Sequence, residues 1–325
     1  MKRALWIVAA VLPIAAQPKL LVNAKVDTRS AAAGLETVFQ ALLKEQPQPA
    51  WIGYSVPSVR SYNLGCEYVR DNPTTAGVVH LEPPDHAILL FRVEDNAVGR
   101  VRTLSPDCEI DAGDVPVHWL SDVQPAQSVA LLVSMIPHRT AESMVSAIAQ
   151  HSDPAADQAL DRFLAAGEPQ AVRLRAVSAM QWRGRHGFDV LKTTIAKDPD
   201  DRVRERAVST MANIKDPEAL DLLLSLARSD SDSRVRQSAV SALGRKPSAT
   251  VLPVLSKIVE SDSDTQVRYR AISALASLPD GTGIPVLIQL AKGTQNSEIR
   301  KRAMSSLESS RDPRAMSFFE DVLKR

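Results

Sequence analysis

The sequence predicts an α+β chain in which a small mixed α/β domain precedes an all-α solenoid of about five helix pairs. Before about residue 140, prolines and glycines separate short apolar runs, a pattern typical of strands. After Thr140 the apolar residues recur at helical spacing, and one motif returns about every 32 residues. Such a repeat is typical of stacked helix pairs. We therefore expect the α/β domain at 20–137 and the solenoid at 140–325.

The first residues predict a secretory signal. Lys2 and Arg3 precede an apolar run at residues 4–12, which is too short to span a bilayer. Ala15 and Ala16 supply small residues for cleavage, so residues 1–16 are predicted to be removed; an uncleaved anchor is the alternative. The sequence therefore predicts a periplasmic or extracellular protein with no membrane span after cleavage.

The composition argues against nucleic acid as a partner, because the formal net charge is only +1. Aromatic residues make up 4% of the chain, which favours helix packing through small residues over a large aromatic pocket. The sequence contains no Gly-x-Ser-x-Gly, His-Glu-x-x-His or Cys-x-x-Cys motif and no phosphate-binding glycine loop. It therefore favours a non-enzymatic role without a cofactor and leaves an enzymatic role open.

The two cysteines, Cys66 and Cys108, predict a disulfide if the protein is exported, because lone pairs of cysteines usually form a disulfide in oxidising compartments. Closing a loop of this length stabilises a fold by about 4 kcal/mol in the chain-entropy picture. Two separate buried thiols are the alternative.

The N-terminal half predicts short elements. Apolar runs indicate strands at 51–56, 77–81, 87–93 and 98–104, with a hairpin turn within 94–99. A helix is predicted at 30–46 with Ser30 as its N-cap. Residues 125–136 fit either a helix or a buried strand.

Two clusters in this half could form a site. A metal could be held by His80, Glu82, Asp85 and His86, but an exposed loop is the preferred interpretation and no metal is predicted. The aromatic residues Trp51, Tyr54, Tyr62 and Tyr68 could line a pocket, but core packing is preferred.

The repeat has a fixed core pattern. A Val or Ile is followed at once by Arg, then by Ala four residues after it and by Met or Leu eight residues after it. The motifs begin at Val172, Val203, Val235, Val267 and Ile299. First helices are predicted at 155–166, 187–197, 217–228, 249–260 and 282–292, with a last one at 313–324. Second helices are predicted to begin at the N-caps Asp201, Ser233, Thr265 and Ser297.

The repeated segments resemble HEAT repeats, of the short kind that also occurs in phycobilin lyases. The resemblance rests on DPDDRVRERAVSTM (198–211), DSDSRVRQSAVSAL (230–243) and DSDTQVRYRAISAL (262–275), and it covers about 155–325. It implies that the second helices line a concave surface. The Asp-x5-Arg pair of the family maps onto Asp198/Arg204, Asp230/Arg236 and Asp262/Arg268. Thr294 replaces the Asp before Arg300.

A helical wheel separates the arginines by position. If the Val or Ile is offset 0, the apolar offsets 0, 4, 5 and 8 lie on one side of the helix. The Arg at offset 1 falls inside this buried sector, where a charge needs a partner. We therefore predict a structural ladder in which this Arg pairs with the preceding Asp.

Offsets 2, 3 and 6 lie opposite the core, and we call these positions the second-helix face. They are Leu174, Arg175 and Ser178; Glu205, Arg206 and Ser209; Gln237, Ser238 and Ser241; Tyr269, Arg270 and Ser273; and Lys301, Arg302 and Ser305. A serine stripe, an arginine stripe and a variable position are typical of a recognition surface. Small residues for helix packing and solvated charges are the alternative.

These patterns favour an exported scaffold that binds a protein partner on the second-helix face. One alternative, implied by the resemblance, is a lyase- or chaperone-like protein that handles a tetrapyrrole or another small ligand. Another gives the N-terminal domain a ligand-binding or hydrolytic role, with the solenoid as a docking arm.

Overall fold

The computed structural model describes residues 21–45, 48–59, 85–106, 108–136, 141–293 and 296–324. The predicted signal at 1–16 and the predicted strand at 77–81 lie outside these ranges, as do Cys66, Tyr62, Tyr68, His80, Glu82 and Thr294. The chain divides into two compact units, one ending at Ala176 and the other beginning at Val177. The domain boundary near residue 140 stays a prediction.

The first unit contains a mixed five-stranded sheet and a parallel strand pair. Its strands are β1 (Leu21–Val22), β2 (Val26–Ser30), β3 (Ala50–Pro57), β4 (His86–Glu94), β5 (Ala97–Leu104), β6 (Ile110–Asp111) and β7 (Val117–Ser121). The sheet order is β2-β7-β3-β4-β5, in which β7 runs parallel to both β2 and β3. β4 runs antiparallel to β3 and β5. The predicted strands at 51–56, 87–93 and 98–104 are confirmed.

The predicted hairpin joins β4 to β5 through Asp95 and Asn96. Both residues have positive φ, 51° and 60°. Two consecutive left-handed residues make the tight turn that matches the twist of the flanking strands, and Asp and Asn tolerate this conformation.

The first helix of this unit starts later than predicted, and the second decides between the two alternatives that the sequence left open. α1 (Leu35–Leu43) begins after Gly34, so the predicted Ser30 cap is wrong. Ser30 instead belongs to β2, and its hydroxyl donates to Asp122 at 2.6 Å. In the segment 125–136, for which a helix and a strand were both possible, Pro125–Ser134 forms a helix, α2, which begins with a proline as helices readily do.

The middle of β4 is apolar and buried on both faces of the sheet, along residues 87–91. On one face Phe91 packs edge-on against Phe39 of α1 at 5.1 Å and stacks with Tyr54 at 5.6 Å. On the other face Leu90 packs with Trp119 and Cys108. Tyr54 is therefore a core residue, as the preferred interpretation held.

The remaining helices follow the predicted repeat, except the first of them, which was not predicted. They are α3 (Ala141–Gln150), α4 (Pro154–Arg162), α5 (Gln170–Ala179), α6 (Gly184–Lys197), α7 (Asp201–Met211), α8 (Pro217–Ser229), α9 (Ser233–Leu243), α10 (Ser248–Ser261), α11 (Thr265–Ala276), α12 (Ile284–Gly293), α13 (Ser297–Glu308) and α14 (Pro313–Leu323). Short 3-10 turns at Met180–Trp182 and Pro279–Gly281 precede α6 and α12.

The caps of the second helices lie one residue before the predicted ones. Asp201, Ser233, Thr265 and Ser297 are the first helical residues, whereas the capping side chains belong to Asp200, Asp232, Asp264 and Asn296. Each capping oxygen accepts the main-chain N–H two residues later, as in the 2.9 Å contact from Arg202 to Asp200. A carboxylate or amide at this position satisfies an otherwise unpaired helix donor.

The predicted core offsets are buried. Val203, Ala207, Val208 and Met211 of α7 are each 0% exposed, and their equivalents in α9 and α11 are 0 or 1% exposed. In the second unit each second helix packs against the next, α7 on α9, α9 on α11 and α11 on α13. The second helices therefore form one layer, from which offsets 2, 3 and 6 point away.

Candidate functional site

The Arg–Asp ladder joins neighbouring repeats. In one buried pair, Arg236 Nε and Nη2 donate to the two carboxylate oxygens of Asp262 at 3.0 and 3.1 Å. Arg236 Nη1 donates to the main-chain oxygen of Asp230 at 2.8 Å. The predicted Asp230–Arg236 contact is thus made through the backbone, and the side-chain ion pair reaches into the following repeat. This bidentate pair raises the pKa of Arg236 against the opposing effect of burial.

Arg204, one unit earlier, makes the same main-chain contact but pairs with the capping residue of the next second helix, Asp232, instead of the ladder residue Asp230. Its Nη1 donates to the main-chain oxygen of Asp198 at 2.8 Å, and its Nη2 contacts Asp201 at 2.6 Å and Asp232 at 2.5 Å. Burial acts to raise the pKa of Asp232, but hydrogen bonds from Arg204 and from a backbone N–H outweigh it, so the pKa is lowered. Arg204 is therefore held inside the stack, as its position on the wheel predicts.

The aspartates predicted for the ladder also accept main-chain hydrogen bonds. Asp198, Asp230 and Asp262 each accept the main-chain N–H two residues later, at 2.9, 2.9 and 2.8 Å. They therefore hold the turn that connects the first helix to the second.

The arginine at offset 1 has different surroundings in the other repeats. Arg173 is 4% exposed, and the half-buried Arg268 donates from Nε to the main-chain oxygen of Val259 at 2.7 Å. Arg300 is exposed, so its predicted burial is wrong. It lies on α13, and no later second helix is present in the described chain to cover it.

The arginines at offset 3 face solvent. Arg175, Arg206, Arg270 and Arg302 are all exposed. Arg175 donates to Glu142 at 3.0 Å, and the guanidinium of Arg302 lies over the ring of Tyr269 at 5.6 Å. Arg206 and Arg270 form no ion pair or hydrogen bond through their side chains with the described residues. These two guanidinium groups are therefore available to a partner.

The serine stripe is only partly available. Ser209, Ser241 and Ser305 are exposed, whereas Ser178 and Ser273 are half-buried. The hydroxyls of Ser241 and Ser273 donate to the carbonyls of Gln237 and Tyr269 in their own helices, at 2.9 and 3.2 Å. Serines bonded in this way have small side chains that do not project from the surface, and their hydroxyl protons are already used within the helix, so they contribute little to binding.

The five residues at the variable offset 2 are a leucine, an acid, an amide, an aromatic residue and a lysine. Glu205, Gln237 and Tyr269 are half-buried, whereas Lys301 is exposed and pairs with Glu298 at 3.0 Å. This variation distinguishes one repeat from the next along the face.

The possible metal cluster lies mostly outside the described residues. Its described members are Asp85 and His86, which contact each other at 2.8 Å. Within the described ranges no group of three or more His, Cys, Asp or Glu side chains could hold a metal. Trp51 is half-buried beneath the guanidinium of Arg92 at 5.5 Å.

The structure brings together a serine and a histidine that the sequence patterns do not connect. Ser128 Oγ lies 2.9 Å from the Tyr54 hydroxyl and 2.8 Å from His151 Nε2, and His151 Nδ1 lies 2.9 Å from the carbonyl oxygen of Ala147. Because a carbonyl only accepts, Nδ1 of His151 donates its proton to Ala147. Ser128 Oγ donates to the Tyr54 hydroxyl. Burial raises the pKa of Tyr54, so its hydroxyl stays protonated.

This serine is no exposed nucleophile. Tyr54, Ser128 and His151 are each 0% exposed. Their hydrogen bonds connect β3 and α2 with the residue that follows α3, and this arrangement satisfies polar groups in the core. The Ser–His contact therefore gives no support to a hydrolytic role.

The predicted disulfide involves one described residue. Cys108 is 2% exposed and packs in the cluster that contains Leu90 and Trp119. Cys66 lies outside the described ranges, so the pairing stays a prediction.

Comparison with known proteins identifies the family. A HEAT-repeat family model matches residues 162–244, 188–276 and 252–325, which together make up just over half of the chain. The chain belongs to the HEAT-repeat proteins. The predicted HEAT-like solenoid is thereby confirmed. No curated protein shows a significant match to this HEAT-repeat protein.

Two solved structures are similar to parts of this HEAT-repeat protein. The complex of CpcE and CpcF of phycocyanin lyase from Nostoc sp. PCC7120 is 26% identical, with a TM-score of 0.36, and the match covers 47% of this chain and 99% of that chain. Human deoxyhypusine hydroxylase in complex with glycerol is 12% identical, with a TM-score of 0.28, and the match covers 61% of this chain and 90% of that chain.

None of the described helices is both long and apolar enough to cross a bilayer.

Proposed function

We propose that this HEAT-repeat protein is a non-enzymatic interaction protein that binds a protein partner on its second-helix face. The observation that carries the proposal is the contrast between two sets of arginines on the same helices. Arg204 and Arg236 are bound to carboxylates inside the stack, whereas Arg206 and Arg270 are exposed and have no ion pair among the described residues. Stability explains the first set but not the second.

The rest of the face supports the same proposal. Stacked repeats form extended surfaces that bind partners, and the equivalent position of each repeat contributes a side chain to one row. The small serine at offset 6 leaves room for a partner between these side chains. The residue at offset 2 differs from one repeat to the next. A set of positions that repeats along the chain, with one variable position among them, is well suited to recognising a particular partner.

Reversing the two unpaired charges tests the proposal. We expect the double variant Arg206→Glu/Arg270→Glu to lose at least about tenfold in partner recovery, because like charges across an interface are strongly unfavourable. Affinity capture with the full chain, followed by quantitative mass spectrometry, measures the recovery relative to wild type.

The matched control places the same charge change on the first helices. Lys192 of α6 and Arg228 of α8 are exposed and form no ion pair with the described residues. The variant Lys192→Glu/Arg228→Glu is expected to recover the partner as wild type does. Equal recovery by both double variants, with unchanged helical circular dichroism, would show that the second-helix face is not the interface.

We also propose that the protein acts outside the cytoplasm and carries a Cys66–Cys108 disulfide. The apolar run after Lys2 and Arg3 and the pair of cysteines support this proposal. Mass spectrometry of the protein purified from its natural source should give a mature chain that begins at Gln17 and contains a peptide linked through both cysteines. An intact N-terminus with two free thiols would contradict the proposal.

A further inference from the structure

We infer that the second-helix face of the second compact unit binds an acidic, extended polypeptide segment. The inference rests on the proposed function and adds the chemistry of the partner. Three observations support it: the face is basic, two of its arginines have no ion-pair partner among the described residues, and its cations form a row along the stack.

The face is basic although the whole chain is nearly neutral. Its basic members are Arg206, Arg270, Lys301 and Arg302, and its one acidic member is Glu205. The first helices mix their charges instead, with Lys192 and Arg228 on helices that also carry Asp189 and Asp221. The formal net charge of +1 therefore conceals a local excess of positive charge on one layer of helices.

The repeats otherwise bring arginines and carboxylates together. Arg185 donates to Glu218 at 2.9 Å, Arg234 to Asp201 at 2.7 Å, and Arg314 to Asp312 at 2.6 Å, and all three arginines are substantially exposed. Arg206 and Arg270 occupy equivalent positions two repeats apart and face no such carboxylate among the described residues. A carboxylate supplied by a partner would complete both sites with charge-assisted hydrogen bonds.

Tyr269 and Arg302 extend the basic row across a repeat boundary. The ring of Tyr269, on α11, lies under the guanidinium of Arg302, on α13, at 5.6 Å. This contact uses the face of the guanidinium, whereas its N–H groups lie in its plane and can still donate to a carboxylate. The ring also restrains Arg302 before binding, which lowers the entropy that a partner would have to overcome.

The arrangement favours an extended segment over a single small anion. The cations lie on α7, α11 and α13, and Ser238 of α9 takes the place of an Arg between Arg206 and Arg270. Helices packed about 9 Å apart place the outer members of the row roughly 30 Å from each other. About ten residues of extended chain cover that distance. Duplex or single-stranded nucleic acid is disfavoured because the chain as a whole lacks the large positive charge of such binders.

A labelled oligoglutamate of about twelve residues is the probe, titrated into the full chain and followed by fluorescence anisotropy. We expect binding that weakens with salt, because surface charges are screened. The variant Arg206→Gln/Arg270→Gln should weaken it about tenfold, since each substitution removes a charged hydrogen-bond donor. The matched variant Lys192→Gln/Arg228→Gln should change it less than about twofold.

Three results would overturn the inference. They are no binding of oligoglutamate by wild type, equal weakening by the two double variants, and tighter binding of an oligothymidylate of equal length that is lost in Arg206→Gln/Arg270→Gln. The last result would identify the face as an interface for nucleic acid.

The proposed function can fail separately. If the charge-reversed variant loses its captured partner but wild type does not bind oligoglutamate, the face binds a protein through something other than an acidic extended segment. If oligoglutamate binds as expected but capture is insensitive to charge reversal, the partner of the proposed function uses another surface.

Discussion

Replacing Gly283 by alanine should destabilise the second compact unit by about 3 kcal/mol, the upper end of what overpacking a core usually costs. A Cβ atom at this position would lie 2.1 Å from the carbonyl oxygen of Leu275 and 2.7 Å from its carbonyl carbon. Those atoms belong to the backbone of α11, which cannot move aside as a flexible side chain could. The free energy of unfolding, measured by urea denaturation, should fall accordingly.

Gly187 should behave in the same way. It lies in the first turn of α6, where a Cβ would lie 1.9 Å from the carbonyl oxygen of Met180. Ala219, Val251 and Ala315 occupy the equivalent position in the other first helices. Gly187 and Gly283 therefore mark the two repeats that follow a 3-10 turn, where the chain passes close to the end of the preceding helix.

Gly167 supplies the control. A Cβ there would meet nothing within 4 Å, and its φ is not in the left-handed region. Gly167→Ala should therefore leave the urea midpoint unchanged or raise it slightly, since alanine reduces the entropy of the unfolded chain. A Gly283→Ala variant as stable as Gly167→Ala would contradict the close approach to Leu275.

The repeat pattern predicts the helices well because it reports burial directly. Offsets 0, 4, 5 and 8 are apolar in every unit, and this periodicity fixes both the helical conformation and the face that packs. The starts of the second helices are predicted to within a residue for the same reason. The cap is misplaced because Asp200 and Asp201 are both good caps in sequence, and only the backbone conformation distinguishes them.

The contacts between repeats could not be predicted in the same way. The sequence places an Asp six residues before Arg236 and another 26 residues after it, and spacing alone favours the nearer one. Stacking of α9 on α11 brings Asp262 to the guanidinium, whereas Asp230 presents its carbonyl. Tertiary packing also decides the approach of Gly283 to Leu275 and the contact between Ser128 and His151, which lie 23 residues apart in the chain.

Removing the carboxylate of Asp262 should destabilise the second unit by about 3–5 kcal/mol, the cost of breaking a buried ion pair by deleting one partner. The side chains of Arg236 and Asp262 are 10% and 7% exposed, so water cannot replace the lost contact. Asp262→Ala also removes the acceptor for the main-chain N–H of Asp264. Urea denaturation followed by circular dichroism measures the change.

Two further variants separate these losses. Asp262→Asn keeps a side-chain oxygen for the N–H of Asp264 but removes the charge, so it should cost less than Asp262→Ala. Asp221→Ala, at an exposed position on α8, should change stability by less than about 0.5 kcal/mol. An Asp262→Ala variant that matches Asp221→Ala would show that the ladder does not hold the repeats together.

The double variant Arg236→Met/Asp262→Ala then tests why the single loss is large. If most of the cost comes from leaving Arg236 buried without its carboxylate, replacing it with an apolar side chain should recover part of the stability. The double variant should therefore unfold at a higher urea concentration than Asp262→Ala alone. Additive losses would instead mean that the two side chains act independently, and that the row of Arg–Asp contacts contributes little coupling between neighbouring repeats.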